Sequence, residues 1–393
     1  MINVFYCNGI IWSLILILYF LGWSDLCEKL DGGLLIFICV IITLSFIIGF
    51  VFRKKMKYIQ LEENPHKTSK ATIVLAILFL LDIIYARNIP IMNVLNGNQY
   101  NEIKFIGIPL LHNLISSIAI FYSIYLSYIY FCFKNKKSLI ENIVIVLFFI
   151  ILMQRQNILI CMVMFCNIWL SKFLNVKKEK SSKKLSIIVL TALGLLILYL
   201  FGVFGNIRYG DTWEWNDSSM ICTLAKKNDK YPDFIPLEYF WGYTYMVTPL
   251  ANLNYNITNY NSEEDFSKYI MEYVPDFISS RLSYESKTTA YLPVESLTVC
   301  TAYVKPYLTF GYFGMYIMLF IQISICAIIA YFTYKSNRNY FIVVCNALIY
   351  FLIFAFFDNT FTYSITALML IYSIICSLGI RIKMSPNNKS NYL

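Results

Sequence analysis

The dominant pattern along the chain is a series of long, uncharged apolar runs separated by short polar connections. Several runs extend about 20 residues without a charge, the length that a helix needs to cross about 30 Å of hydrocarbon. No positive segment precedes the first run and no small-residue cleavage site follows it, so it is predicted to be a retained helix rather than a signal peptide. The pattern predicts an all-α polytopic membrane protein with ten transmembrane helices, at 4–22, 33–52, 71–88, 105–133, 139–153, 156–174, 185–204, 308–333, 340–357 and 361–380.

Residues 206–306 are the one long polar segment, and we expect them to form a large loop of short helices at one membrane surface. The loop would separate seven helices in 1–205 from three helices in 307–381, which a tail at 382–393 follows. Ser262 and Asp265 have capping-box spacing before a periodic apolar stretch, which predicts one of two or three short helices. A break is expected at Pro275.

The stretch 236–253 of this loop is rich in Tyr, Trp and Phe. Aromatic residues are common where a protein meets the boundary between membrane and water. They also stack on sugar rings. The sequence leaves both interpretations open.

Composition and charge add a topology to this pattern. The chain is 59% hydrophobic and 14% charged, against about 45–50% and 25% in soluble domains. Of its 32 Lys and Arg, 20 fall in the even-numbered connections and the tail, together with only four of the 23 acids. Because basic loops stay on the cytoplasmic side, both termini are predicted to be cytoplasmic and the large loop to face outward. The net charge of +9 therefore reflects topology and implies no nucleic-acid partner.

Several function classes find no support in the sequence. The 11 cysteines are scattered, mostly within apolar runs, which predicts core residues and neither disulfides nor a zinc site. Gly-rich phosphate loops, His-Glu-x-x-His and Gly-x-Ser-x-Gly do not occur. No fixed-period repeat or inverted symmetry is visible, which argues against a secondary transporter.

Two arginines are the first candidates for chemistry, since ionisable groups are costly in a bilayer. Arg155 interrupts the stretch 139–174, which is too long for one span and short for two, so its turn is expected below the outer surface. A buried guanidinium needs an anionic partner such as a diphosphate. The alternative is an ordinary hairpin tip whose Arg extends to water. Arg208, beside Tyr209, follows the seventh run. It would either face a lipid-linked phosphate or be an ordinary charged residue at a helix terminus.

His112 and Asp82 are predicted to lie about 10 Å below the outer surface. Either could act as a general base or orient one, although a lone intramembrane His more often hydrogen-bonds between helices. Arg281 could add a positive group and Glu295 a carboxylate near the mouth of the site, and both fit a solvated surface equally well. His66 is expected to be a solvated residue of a cytoplasmic loop.

Four local patterns keep a fixed order relative to the predicted helices. They are Phe105-Ile106-Gly107-Ile108-Pro109 with His112, Arg155 at the hairpin tip, Phe204-Gly205-Asn206-Ile207-Arg208, and Thr298 through Phe310-Gly311-Tyr312-Phe313-Gly314. With Thr248-Pro249-Leu250-Ala251-Asn252-Leu253, they make the chain resemble bacterial Wzy-type O-antigen polymerases over nearly its whole length. Two features of some members are absent here, namely the spaced Arg and Gly pattern of the outer loops and an acid before Phe310.

The resemblance implies glycosyl transfer at the outer face of the bacterial inner membrane. A growing glycan on undecaprenyl diphosphate would move onto the non-reducing end of a lipid-linked repeat unit, and the lipid diphosphate would leave. The expected catalytic residues are Arg155 and Arg208 for departure of the diphosphate and His112 or Asp82 for proton transfer, with Glu295 as an alternative base. The expected substrate-binding residues are Arg281, Tyr209 and Glu295. Partners would be the undecaprenyl-diphosphate-linked oligosaccharide, membrane lipid and a chain-length regulator protein. Because the donor is already activated and no ligand cluster is visible, neither a metal nor another cofactor is expected.

Three alternatives stay open. An O-antigen ligase would perform the same chemistry on a different acceptor. A glycosyltransferase that uses a polyprenyl-monophosphate sugar would take its catalytic acid from the first outer loop, at Asp25, Glu28 or Asp31. A flippase or transporter of lipid-linked oligosaccharides would need polar residues along many helices. Here the intramembrane polar groups gather in the predicted outer half, which favours chemistry at the outer face.

Overall fold

The computed structural model describes residues 3–66, 68–95, 105–175, 180–209, 216–281 and 288–378. Within these ranges the chain is helical and forms no strand, and one isolated bridge joins Ser24 to Lys227. The predicted all-helical fold is therefore confirmed for the described part of the chain.

The helices follow one another in the order α1 (Val4–Leu21), α2 (Gly32–Phe52), α3 (Lys70–Ala86), α4 (Pro90–Leu95), α5 (Leu111–Phe133), α6 (Lys136–Ile151), α7 (Arg155–Asn175), α8 (Lys180–Tyr209), α9 (Ser219–Leu224), α10 (Glu238–Asn259), α11 (Phe266–Met271), α12 (Asp276–Ser279), α13 (Val304–Ser336), α14 (Phe341–Phe354) and α15 (Ser364–Ser377). A short 3₁₀ turn at Arg338–Tyr340 precedes α14. A helix lies at the position of each apolar run.

Five described helices are long and apolar enough to cross a membrane, namely α1, α2, α5, α13 and the segment Gln156–Leu174 of α7. Shorter apolar helices occupy Gly194–Ile207, Arg338–Phe354 and Ser364–Ser377. Many large side chains on the outside of these helices are apolar, among them Ile47, Val51 and Phe332. Such surfaces suit contact with lipid, so the chain is a helical protein embedded in a membrane.

The helix α14 lies at the centre of the bundle. It packs against α1, α5, α7, α13 and α15, and its residues from Phe341 to Leu352 are all buried. A helix that is covered on every side needs apolar residues all round, as its sequence provides.

Contacts between connections mark two ends of the bundle. At one end, Tyr128 Oη donates to the Ile59 carbonyl and Gln60 Nε2 to the Cys132 carbonyl, each at 2.6 Å. At the other end, Ala302 N donates to the Ala355 carbonyl at 2.7 Å. We call this second end the loop end. Its described connections are residues 22–31, 87–95, 105–110, 152–154, 216–281, 288–303 and 355–363.

The helix α10 differs from the expected short surface helices. It is 22 residues long and packs on α1, α8 and α13. Its apolar and aromatic side chains recur every three to four residues, and Phe240, Trp241 and Tyr243 are buried. Trp23 lies 5.0 Å, centroid to centroid, from Tyr243. These three aromatics of the 236–253 stretch therefore fill the space between helices, and neither an interfacial belt nor sugar stacking accounts for them.

The expected capping box also differs in detail. The helix α11 begins at Phe266, and its N-cap is Asp265, whose carboxylate accepts from the backbone N–H groups of Ser267 and Lys268. The helix that the capping-box spacing predicts is therefore present, with Asp265 rather than Ser262 as its cap. The predicted break at Pro275 is present, because Pro275 is the N-cap of α12.

Candidate functional site

The helices α3 and α5 bring Asp82 and His112 together near the loop end. Nδ1 of His112 lies 2.6 Å from Oδ2 of Asp82. The Asp82 carboxylate is completely buried, whereas 21% of the His112 side chain is exposed. The pair is therefore closed on its acidic side and open on its imidazole side.

A tight approach of the chain before α5 holds the carboxylate in place. Ile108 N donates to Oδ1 of Asp82 at 2.7 Å. A Cβ atom at Gly107 would lie within 2.8 Å of both Asp82 carboxylate oxygens, so only glycine fits there. The Phe105 ring packs 5.2 Å from the imidazole. The Phe105–Pro109 pattern thus serves to build this carboxylate–imidazole pair.

The other imidazole nitrogen faces the start of α7. Nε2 of Gln154 lies 2.7 Å from Nε2 of His112, and Nδ2 of Asn157 donates to Oε1 of Gln154 at 2.6 Å. Because the Gln154 oxygen accepts from Asn157, its amide nitrogen donates to His112. Asp82 accepts from Nδ1–H, so the lone pair of the neutral imidazole lies on Nε2. This arrangement can accept a proton at Nε2.

A second polar side chain, Gln156, lies two residues further along the same segment. Tyr363 Oη donates to Oε1 of Gln156 at 3.3 Å, and Nε2 of Gln156 donates to Tyr350 Oη at 3.4 Å. These contacts join α7 to α14 and to the connection before α15. Residue 155 therefore stands between the glutamine that meets His112 and the glutamine that meets these tyrosines.

Asp358 extends this polar surface on the connection between α14 and α15. Its side chain is accessible, and Oδ1 accepts from Asn359 N at 2.7 Å. Desolvation at the site raises the pKa of Asp358, and the nearby charge of Asp276 raises it further. The Asn359 N–H and the charge of Lys305 partly offset this increase. An accessible carboxylate with such a pKa marks a functional-site candidate.

The predicted arginines lie on different elements. Arg155 is the first residue of α7, and Arg208 and Tyr209 are the last residues of α8. The side chains of these three residues lie outside the described part of the structure. Near Arg208, Asn206 accepts from Nε1 of Trp241 at 2.6 Å, which places the end of α8 beside α10.

Arg281 and Glu295 are both exposed. Arg281 follows α12, whose first residue, Asp276, donates its backbone N–H to the Thr362 carbonyl at 2.8 Å. The segment before Arg281 therefore docks on the Asp358 connection. Glu295 lies in a different place, two residues after Pro293, which lines a separate pocket.

This separate pocket has a volume of about 260 Å³ and opens at the loop end. Its polar lining comes from the connection between α1 and α2, from the residues after α9 and from α10, and consists of Asp25, Glu28, Lys226, Asn254 and Tyr255. Asp31 is not part of it. Asp31 caps α2 and accepts a hydrogen bond from Tyr312 Oη.

His66 is buried, so its expected place in a solvated loop was wrong. Nε2 of His66 lies 3.1 Å from Oε1 of Glu141, which also accepts from Ser69 Oγ at 2.6 Å. The other carboxylate oxygen accepts from Thr72 Oγ1 and from Tyr122 Oη. A carboxylate in α6 that needs several donors draws the connection between α2 and α3 into the bundle, and burial of His66 follows from that.

Sequence reasoning did not single out Gln154, Gln156 or Asp358. A signal for the two amides existed, because three amide side chains flank Arg155 inside an apolar stretch. A signal for Asp358 existed as well, since it is the only acid between residues 307 and 393. What joins them is tertiary contact, which no local pattern reveals.

Comparisons with protein-family models, with curated proteins and with solved structures found no match. Among the described residues, no group of three or more His, Cys, Asp and Glu side chains could hold a metal ion. The function is therefore inferred from the chemistry of the site itself.

Proposed function

We propose that the chain is a membrane glycosyltransferase that polymerises lipid-linked oligosaccharide repeat units. The observation that supports this most strongly is the basic Nε2 atom of His112, which Asp82 orients at the loop end of a membrane-embedded bundle. Such a nitrogen suits the deprotonation of a sugar hydroxyl, the step that a glycosyl acceptor needs.

In the proposed reaction, the terminal hydroxyl of a lipid-linked repeat unit attacks the anomeric carbon of a growing glycan. A new C–O glycosidic bond forms, and the bond between the anomeric carbon and the phosphate oxygen breaks. The hydroxyl proton passes to Nε2 of His112, and the bonding electron pair leaves with undecaprenyl diphosphate. Asp82 stabilises the imidazolium that results, as a buried carboxylate does for a histidine base.

Departure of the diphosphate builds negative charge, which fixed guanidinium groups stabilise. Loss of one such donor costs about 3–4 kcal/mol in comparable oxyanion sites. Arg155 is the first candidate for this role, because its backbone lies between Gln154 and Gln156, whose side chains border the site. Arg208 is the second candidate, and Arg281 follows a segment that docks on the same connection.

Among the acid–base candidates, the geometry favours His112 as the base and Asp82 as its orienting partner. Glu295 lies near the pocket of the first outer loop and has no described contact with His112. We propose that both termini are cytoplasmic and that the loop end faces the periplasmic side of a bacterial inner membrane, because basic connections cluster at the opposite end.

The test is the length profile of surface polysaccharide in a host that lacks the gene. The deletion strain is complemented with wild type, His112→Gln, Arg155→Ala or Arg208→Ala, with membrane levels matched by immunoblot. Single repeat units on the lipid anchor in the deletion strain, and no ladder from His112→Gln, are expected. Long undecaprenyl-linked chains that persist without the protein would overturn the proposal and favour a ligase or a flippase.

A second candidate function has one observation in its favour. Asp25 and Glu28 line the pocket of about 260 Å³, so a glycosyltransferase that uses a polyprenyl-monophosphate sugar would have two acids available there. Under that alternative, the Asp25→Asn, Glu28→Gln double variant abolishes activity and His112→Gln does not. A polymerase with its base at His112 gives the opposite result.

A further inference from the structure

The carboxylate of Asp358 differs from the other buried or capped acids at the loop end. Both oxygens of Asp82 are engaged, and Asp31 accepts from Tyr312 and from two backbone N–H groups. Asp358 accepts only from the adjacent Asn359 N–H, and within the described residues no side chain donates to it. One of its oxygens is therefore available to a bound molecule.

Asp358 forms no salt bridge with a described residue, and polar side chains lie on the same connection. Tyr363, five residues further along the same connection, donates from Oη to Oε1 of Gln156 at 3.3 Å. Gln156 is two residues from Gln154, which meets Nε2 of His112. The connection that carries Asp358 and the side chain of His112 thus both meet the start of α7.

Nothing in the fold requires a carboxylate at this position. Burial of the site disfavours its charged form, and the hydrogen bond from Asn359 is one that an amide oxygen could also accept. A charged group that the fold does not need, and that remains accessible, fits a role in binding.

We propose that Asp358 binds the acceptor sugar, accepting hydrogen bonds from hydroxyl groups beside the one that His112 deprotonates. This inference rests on the proposed function and names the ligand class of the same site. The half-buried side chains of Gln156 and Tyr363 suit a polyhydroxylated ligand together with Asp358, because the carboxylate accepts while the amide and the phenol both donate and accept. A hydrogen bond to a charged group contributes enough binding free energy that its loss raises Kd roughly 10- to 100-fold.

The experiment measures polymerisation and binding separately on purified full-length protein in lipid nanodiscs. The probe is a short-chain polyprenyl-diphosphate-linked repeat unit, supplied as acceptor in the rate assay and titrated by calorimetry in the binding assay. Asp358→Asn should raise KM and Kd for this probe roughly 10- to 100-fold, with a smaller change in kcat and an unchanged pH profile of kcat. Asp358→Glu should recover part of the affinity. The matched control is Asp233→Asn, which removes an exposed carboxylate between α9 and α10 at the same end.

The outcomes separate this inference from the proposed function. If wild type polymerises and Asp358→Asn keeps the wild-type KM and Kd, the sugar-binding role is refuted while the polymerase stands. A kcat that falls with an altered pH profile and an unchanged Kd also refutes binding, because Asp358 would then act in proton transfer. If wild type binds the probe through Asp358 without polymerising it, the binding site stands and the polymerase does not. Folding of Asp358→Asn is checked by thermal unfolding, in which it should be as stable as wild type because the amide oxygen can accept the one hydrogen bond, from Asn359 N, that the carboxylate accepts.

Discussion

Nδ1 of His112 lies 2.6 Å from Oδ2 of Asp82, a contact that joins α5 to α3 across 30 residues of sequence. Because the carboxylate fixes the proton on Nδ1, the lone pair of the imidazole lies on Nε2, where it accepts from the Gln154 amide and becomes available to a substrate hydroxyl that displaces this amide. Together the two residues form a base whose reactive nitrogen is fixed.

Loss of the base should be the most damaging change to activity. His112→Gln is expected to lower the rate of repeat-unit polymerisation by about 10²–10⁴, the usual contribution of a positioned base. The measurement is the initial rate with purified protein and lipid-linked repeat units. A variant with the wild-type rate would remove His112 from the mechanism.

Asp82→Asn tests the orienting role. An asparagine amide can donate to Nδ1, which would shift the imidazole proton to Nε2 and remove the lone pair from the reacting side. We expect a loss of rate approaching that of His112→Gln, with little change in acceptor Kd. The double variant should be no slower than the worse single variant, since the two residues act as a unit. An additive loss would contradict this.

Gly107→Ala should disturb the same pair by crowding. Its Cβ would lie 2.5 Å from Oδ1 and 2.8 Å from Oδ2 of Asp82, so the carboxylate or the chain must move. We expect a loss of about 1–3 kcal/mol in stability together with reduced activity. The matched control is Gly194→Ala, because a Cβ at Gly194 meets nothing within 4 Å. That control in α8 should be neutral or stabilise slightly.

Glu141 should matter for stability rather than for chemistry. Glu141→Ala leaves four donors without their acceptor, those of His66, Ser69, Thr72 and Tyr122. A loss of about 3–5 kcal/mol in the free energy of unfolding is expected, as for removal of one partner of a buried pair. Unfolding by denaturant in detergent micelles measures it. The control is Glu62→Ala, which removes an exposed acid from the connection between α2 and α3 that also carries His66. The free energy of unfolding should change little.

The hydrogen bonds of Asp31 should make the stability of the folded protein depend on pH in the acid range. The hydrogen bond from Tyr312, with the N–H groups of Leu34 and Gly33, holds the pKa of Asp31 below its ordinary value of 3.8. A carboxyl group whose pKa folding lowers stabilises the folded state above the unfolded-state pKa and loses that contribution as pH falls through the folded-state pKa. Tyr312→Phe should therefore destabilise the protein at neutral pH, with a difference from wild type that shrinks below about pH 4.

Thermal unfolding of wild type and Tyr312→Phe across this pH range measures the effect. In an Asp31→Asn background the Tyr312→Phe change should have no pH-dependent effect. A difference that stays constant with pH would mean that Tyr312 acts through packing alone.

The sequence by itself determined where the helices lie. Each apolar run became a helix, because the length and hydrophobicity of a membrane segment are local properties of the chain. It also marked Asp82, His112 and Arg155 as unusual, because charge inside an apolar run is costly wherever the run ends up.

Tertiary structure decided the rest. The pairing of Asp82 with His112, the burial of His66 on Glu141 and the contact of Tyr363 with Gln156 all join distant segments. In a bilayer, both the interior and the lipid-facing surface are apolar, so hydrophobicity cannot tell which face of a helix meets its neighbours. The partners of a polar side chain are therefore fixed only when the helices pack.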